Sequence, residues 1–257
     1  MNKSTFLNQL QSVHANIFGL SYCLVGHEQE SSQLVLDAIT VMVMNEKEFI
    51  LDFNGEKSSK RKEFHRFLQK VLFRQIYNLA QKRFAHNPGG AIFEPEFRDF
   101  FSLNLLKRSV LFLKEIQEFE ICEIQEVFEL QRHEVLELLY NARFELSKKE
   151  IPLPEGMTTS FNLFLAYTNK TLKKAELDAA EGKVLRDKNF ADFYHKKQNL
   201  MDFYKEIIPV KNLKKNQKLL FFMQVKDVID TVFPAEKRSV VAKVRSFLNK
   251  PILTINY

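Results

Sequence analysis

The chain has no tryptophan, and only two cysteines, seven glycines and seven prolines among its 257 residues. Two thiols cannot staple a disulfide scaffold, and so little glycine and proline excludes a collagen repeat or an extended linker. Long apolar runs are missing too. No uninterrupted stretch approaches the roughly 20 apolar residues that a bilayer span needs, and the opening MNKSTFLNQLQSVH lacks the apolar core of a signal peptide. The expectation is a cytoplasmic protein with no membrane partner. Both cysteines, Cys23 and Cys122, fall in apolar stretches of helical pattern and are expected to be small buried hydrophobes.

What is present is ordinary for a globular protein: 45% apolar and 27% charged residues. The net charge of +6 conceals a division. Residues 151–257 hold 19 Lys/Arg against 11 Asp/Glu and carry +8, which leaves −2 on residues 1–150. A basic segment calls for nucleic acid, an acidic membrane surface, or an acidic partner within the same chain.

Periodicity near 3.6 dominates, so the fold class is all-α. The breaks are His86–Phe97, with two Pro and two Gly, and Lys148–Ser160, with two Pro and one Gly. They divide the chain into a helical domain at 1–85, a linker at 86–98, a small domain at 99–150 and a basic helical domain at 151–257. The small domain buries too little apolar surface to stand alone and is expected to pack on a neighbour. Ser31 and Ser32 are the expected N-caps of a helix through SQLVLDAITVMVMN, although its Val, Ile and Thr would also suit a strand.

The segment KRKEFHRFLQKVLFRQIYNLAQKRF is the clearest amphipathic helix. Phe64, Phe67, Leu68, Val71, Leu72, Gln75/Ile76 and Leu79 fall along its inner side, and Arg61, Lys62, Arg66, Lys70 and Arg74 lie elsewhere around it, with Phe67 and Phe73 the aromatics on or beside it to test. Cations interleaved with aromatics suit a polyanion, and a solvated face on a core helix has equal claim. Farther on, a helix carrying Leu105, Leu106, Val110 and Leu113 precedes a short helix at Ile121–Phe128. A tight turn at Glu129–Gln131 leads into a longer helix with Val135, Leu138/Leu139, Ala142 and Leu146 inward. Helix, tight turn and longer helix make a helix-turn-helix pattern.

At this point the chain resembles the extracytoplasmic-function sigma factors, small bacterial transcription initiation factors. LKRSVLFLKEIQEFEICEI resembles the leucine-rich opening of their region 4, and Ala142, Arg143 and Leu146 its closing Ala-Arg-x-x-Leu. NIFGLSYCLVGHEQESSQLVLDAI is similar to the start of region 2, and Phe64–Arg83 to its later aromatic, basic helix. The resemblance implies two sigma-like helical units and RNA polymerase, or an anti-sigma factor, as partner. It places polymerase contact at Gln33, Leu34, Val35 and Asp37, where the family presents Asp-Leu-Val-Gln-Glu/Asp, and −10-like nucleic acid on the Arg61–Arg74 helix.

The departures from the family shape the expectation further. The recognition helix has Arg132, Glu134, Leu136, Glu137, Leu138 and Arg143 where small polar and basic residues would face DNA. Lys114–Glu145 holds nine glutamates against Lys114, Arg132 and Arg143, a net charge of −6. Duplex DNA is bound chiefly by neutralising phosphates, so an acidic face reads as repelled from it, with only Arg132 and Arg143 left to touch phosphate. The expected protein is a transcription regulator with degenerate promoter recognition, weak at most towards nucleic acid, acting through protein contacts. The alternative is a sigma mimic or helical interaction protein that binds no DNA.

The C-terminal unit has a distant anti-sigma-like pattern. Its positive exterior is expected to dock on the Lys114–Glu145 face and hold the sigma-like part in cis. In its tail, Leu219, Leu220, Met223, Val228 and Val232 fall at helical spacing as the inward stripe of a core helix, or as a face that covers another domain's groove. Anti-sigma zinc sites need His-x3-Cys-x2-Cys, and His195 has no cysteine near it, so no metal or other cofactor is expected. All six histidines are expected on solvated helix faces. No phosphate loop, nucleophile elbow or His-Glu-x-x-His motif is present, and no catalytic residue or enzyme activity is expected.

Overall fold

A computed structural model describes residues 3–46, 50, 58–84, 95–147, 174–186, 188, 191 and 197–233. Among them the protein is all-α, with no strand. The helices are α1 (Lys3–Val25), α2 (Glu28–Asn45), α3 (Ser58–Phe84), α4 (Arg98–Ser102, entered through a 3-10 turn), α5 (Leu105–Leu111), α6 (Ile121–Phe128), α7 (Arg132–Ser147), α8 (Lys174–Arg186), α9 (Lys197–Ile207) and α10 (Lys215–Val232). No described helix is long and apolar enough to cross a membrane.

The first helix is central. From Ile17 to Val25 every residue is buried, as the apolar character of that stretch on all sides requires. It packs against α2, α3, α5 and α10. Gly19 is the point of closest approach: a Cβ there would stand 3.0 Å from Cζ of Phe112. The end of α1 has its own cap. Gly26, at φ 77°, turns the chain, and buried Arg108 of α5 donates to the carbonyls of Cys23 (3.2 Å) and Leu24 (2.9 Å). A guanidinium suits that place because the last carbonyls of a helix lack intrahelical donors and carry its negative dipole end.

The stretch with mixed propensity is helix α2, since its apolar residues Leu34, Val35, Ala38, Ile39, Met42 and Val43 meet the core only at helical spacing. It begins at Glu28, earlier than the serines suggest. Ser31 and Ser32 are not caps; their hydroxyls donate back to the carbonyls of His27 (2.7 Å) and Glu28 (3.0 Å).

After Leu111 the helix α5 widens into a π turn, with Gln117 N–H reaching the Phe112 carbonyl at 3.1 Å. Phe112 meets Phe73 of α3 edge-on, at 6.4 Å between ring centroids, and Phe119 follows at 5.6 Å. The small unit thus packs on α1 and α3, and one connected apolar core runs from Phe6 to Phe233. Residues 85–94, most of the expected linker, and 148–173 lie outside the described residues, as do His86 and His195.

On the C-terminal helix α10 the expected stripe divides: Val228 and Val232 are half-buried, Val232 against the core, and the first part of the stripe turns outward. Phe221, Phe222, Val225 and Ile229 are buried, whereas Leu219, Leu220 and Met223 are 65%, 63% and 57% exposed. Helical spacing alone allowed two stripes, and the aromatic one wins because it seals His14 and α2. His14 itself is buried, not solvated, and Cys122 is exposed, not buried.

Candidate partner-binding face and its internal clasp

The helix pair α6–α7 is joined at Glu129, whose left-handed φ of 57° ends α6. Gln131 N–H donates to Glu134 Oε2 at 2.6 Å, a capping contact that starts α7. The other end of α6 is fixed likewise: Glu120 N–H donates to Glu123 Oε2 at 3.0 Å.

Beside this pair runs α3, and three of its cations turn towards α6. Arg66 Nε donates to Glu123 Oε1 at 2.7 Å, and a second nitrogen of Arg66 grips the other carboxylate oxygen of Glu123. Lys70 reaches Glu126 at 2.5 Å. Arg74 pairs with Glu129 at 2.8 Å and donates to the carbonyls of Val127 (3.1 Å) and Glu126. Three cations one turn apart on α3 therefore bind three glutamates spaced by three on α6, and Arg74 also caps the last turn of α6. The Arg66 pairing holds the Glu123 carboxyl below its ordinary range.

The placement of the remaining site residues follows from this packing. Phe73 is fully buried and Phe67 is half-buried against Phe64, so Phe73 has no surface for a base. Lys62 is exposed and lines a cleft of about 610 Å3 with Gln9, Asn16, His65, Gln69 and Gln117. The side chain of Arg61 lies outside the described ones. On α2, Leu34 and Val35 belong to the core, so their expected contact with polymerase is corrected: a buried residue cannot be reached. Gln33 and Asp37 are at the surface, joined by a 2.9 Å hydrogen bond, and Arg83 holds Asp37 at 2.6 Å.

On the recognition helix the largest correction is Arg143. It is 1% exposed, donates from Nε to buried Glu115 Oε1 at 2.8 Å, and has its guanidinium 5.6 Å from the Tyr204 ring centroid. It cannot touch phosphate. Leu136 and Leu138 pack half-buried on the core, while Arg132 and Glu137 are exposed. The nine glutamates do not make one outward face. Glu123, Glu126 and Glu129 turn to α3, Glu115 is internal, Glu134 caps α7, and Glu145 meets Lys107 at 2.6 Å.

The C-terminal unit touches both halves of the rest. Tyr204 of α9 shares a 2.6 Å hydrogen bond with Ser147 and donates to the Arg143 carbonyl at 3.3 Å. Burial pushes the Tyr204 phenol up to about 12. The acidic side of α6 is met by α3, and among the described residues the contact nearest to the expected docking of the basic tail is Lys205 with Glu118 at 4.0 Å. The C-terminal unit instead packs on α1 and α2: Cys23 Sγ donates to the Pro209 carbonyl, Gln217 donates to Glu28 at 3.3 Å, and Lys3 pairs with Asp230 at 2.9 Å.

Sequence reasoning missed Phe119, Glu115 and Tyr204 as partners. A signal did exist for the clasp, since the glutamates at 123, 126 and 129, three apart, and the cations at 66, 70 and 74, four apart, each recur about once per helical turn. Among the described residues no group of three or more His, Cys, Asp or Glu is placed to hold a metal ion. No family model, curated protein or solved structure matches the chain.

Proposed function

We propose that the protein is a transcription regulator of extracytoplasmic-function sigma design whose promoter reading is degenerate, and that it works by binding a protein, RNA polymerase or an anti-sigma-type factor. The observation that carries this reading is the clasp: Arg66, Lys70 and Arg74, the cations best suited to a polyanion, are bonded to glutamates of the same chain. With Arg143 internal, Arg132 is the one outward cation on α7. Phosphate affinity grows with the number of cations offered, so this helix offers too little for duplex DNA at physiological salt. Its role is binding and not catalysis.

The second reading, a sigma mimic that sequesters an anti-sigma factor, draws on the same clasp and differs in its partner. In either case the seating of α10 on α2 supports a C-terminal unit that holds the sigma-like part in cis.

The test mixes the purified full chain with bacterial core RNA polymerase, and separately with a −35-type duplex at moderate salt. Polymerase capture without a duplex shift is expected for the first reading. Capture of an anti-sigma-type protein alone selects the second. A duplex shift that Arg132→Ala abolishes overturns both.

A further inference from the structure

We infer that α10 is a docking surface for an anionic lipid membrane, used peripherally and without insertion of a span. The outward line of α10 bears Leu219, Leu220 and Met223, each more than half exposed, directly opposite the face that Phe221, Phe222, Val225 and Ile229 bury. Val210, just before the helix, is exposed as well. Among the described residues Met44 is the other large apolar side chain more than half exposed, and three gathered in one patch are unusual.

Charge selects the occupant. From Ile208 to Lys226 the chain has Lys211, Lys214, Lys215, Lys218 and Lys226 and no Asp or Glu. The lysines at 214, 215, 218 and 226 are exposed around the leucines. Of the acids in contact with this helix or on it, Glu28 accepts from Gln217 and Asp230 is bound by Lys3. Exposed Asp227 marks the far limit of the surface. Beside Leu220 lies a groove of about 640 Å3 lined by Lys211, His27, Gln217 and Gln224, with Glu28 in its wall bonded to Gln217. It offers donors to a phosphodiester headgroup next to the apolar strip.

A second copy of this chain is a poor occupant, because two such surfaces would bring lysines against lysines. The strip is also convex, on the outer line of a packed helix, so a partner helix would have to provide its own groove. A fluid bilayer conforms to a convex strip, takes up leucine and methionine at the level of the acyl boundary, and meets lysine with phosphate. Lipid thus joins the partners against the expectation from the sequence, which rested on the absence of a spanning run.

The experiment is co-sedimentation of the full chain with vesicles of phosphatidylglycerol and phosphatidylcholine, and with phosphatidylcholine alone. Binding to the anionic vesicles is expected, with weakening as salt rises. The triple variant Leu219→Ser, Leu220→Ser, Met223→Ser should lose about tenfold or more in affinity. It should keep the wild-type circular dichroism and melting temperature, because all three side chains are exposed. Lys214→Gln with Lys215→Gln and Lys218→Gln should lose comparably at low salt. The proposal is overturned if the serine variant sediments like wild type, if the anionic vesicles fail to bind, or if neutral vesicles bind equally. It is overturned too if wild type proves to be a dimer that the serine variant dissolves, or if an acidic leucine-bearing helical peptide binds the strip while vesicles do not.

Discussion

The guanidinium of Arg66 lies over the ring of Phe119, with Cζ 3.4 Å from the centroid, while its nitrogens hold Glu123. One side chain therefore joins three elements: α3, the π-turn exit and the start of α6. An ammonium cannot replace it, since lysine has neither the plane for stacking nor the fork for two carboxylate oxygens. Arg66→Lys is expected to cost about 1–2 kcal/mol in urea unfolding, and Lys70→Arg close to nothing. A lysine variant that unfolds at the wild-type midpoint would remove the clasp from the account of stability.

How far the chain could be read in advance differs by element. The turn at Glu129–Gln131 and the inward residues Val135, Leu139, Ala142 and Leu146 were legible because a stripe at 3.6 spacing has one solution when the opposite face is charged. On α10 both faces are apolar, so the periodicity had two solutions and the buried one was misread. The acidic character of α6 was plain in composition, but which way each carboxylate turns depends on α3, more than fifty residues earlier, and no local pattern encodes that. Arg143 illustrates the same point: a lone arginine looks exposed until its partner Glu115 is known.

The pair Glu115–Arg143 is closed off from water beneath Tyr204. Removing one member leaves a buried charge alone, whereas replacing both removes the desolvation cost along with the attraction. Arg143→Met is therefore expected to destabilise by about 3–5 kcal/mol, and Glu115→Met with Arg143→Met to recover most of that loss. Urea denaturation of the two proteins side by side decides it. Equal losses in single and double variants would show that the pair gives something a packed apolar contact cannot.

At Gly19 two effects compete. Glycine to alanine inside a helix normally gains about 1 kcal/mol through backbone entropy. Here the new methyl meets the Phe112 ring at 3.0 Å and 3.2 Å, and that ring is fixed among Phe73 and α1. Crowding of a well-packed core costs about 1–3 kcal/mol, so Gly19→Ala is expected to lower the melting temperature. In a Phe112→Leu background the same change should be neutral or stabilising. A gain in the wild-type background would mean that the ring moves away at no cost.

His14 is 2% exposed, with Nε2 lacking a hydrogen-bond partner and rings of Phe18, Phe221 and Phe222 centred 5.9, 4.9 and 5.1 Å away. Burial, helped by the positive charge of Lys218, lowers its pKa from 6.5 to about 4. The folded state thus favours the neutral imidazole. Stability from this source is complete above pH 6.5 and declines as pH falls from there towards 4, because the unfolded chain takes up a proton that the folded one refuses. The full loss amounts to about 3 kcal/mol. His14→Leu, close in volume, should abolish that loss. Carboxylates such as Glu123 weaken the fold at lower pH in both proteins, so the difference between the two isolates the histidine. Urea midpoints at pH 7.5, 6 and 5 should show the variant gaining steadily on wild type as pH falls. A constant difference across the three would mean that His14 titrates alike in the folded and unfolded chain.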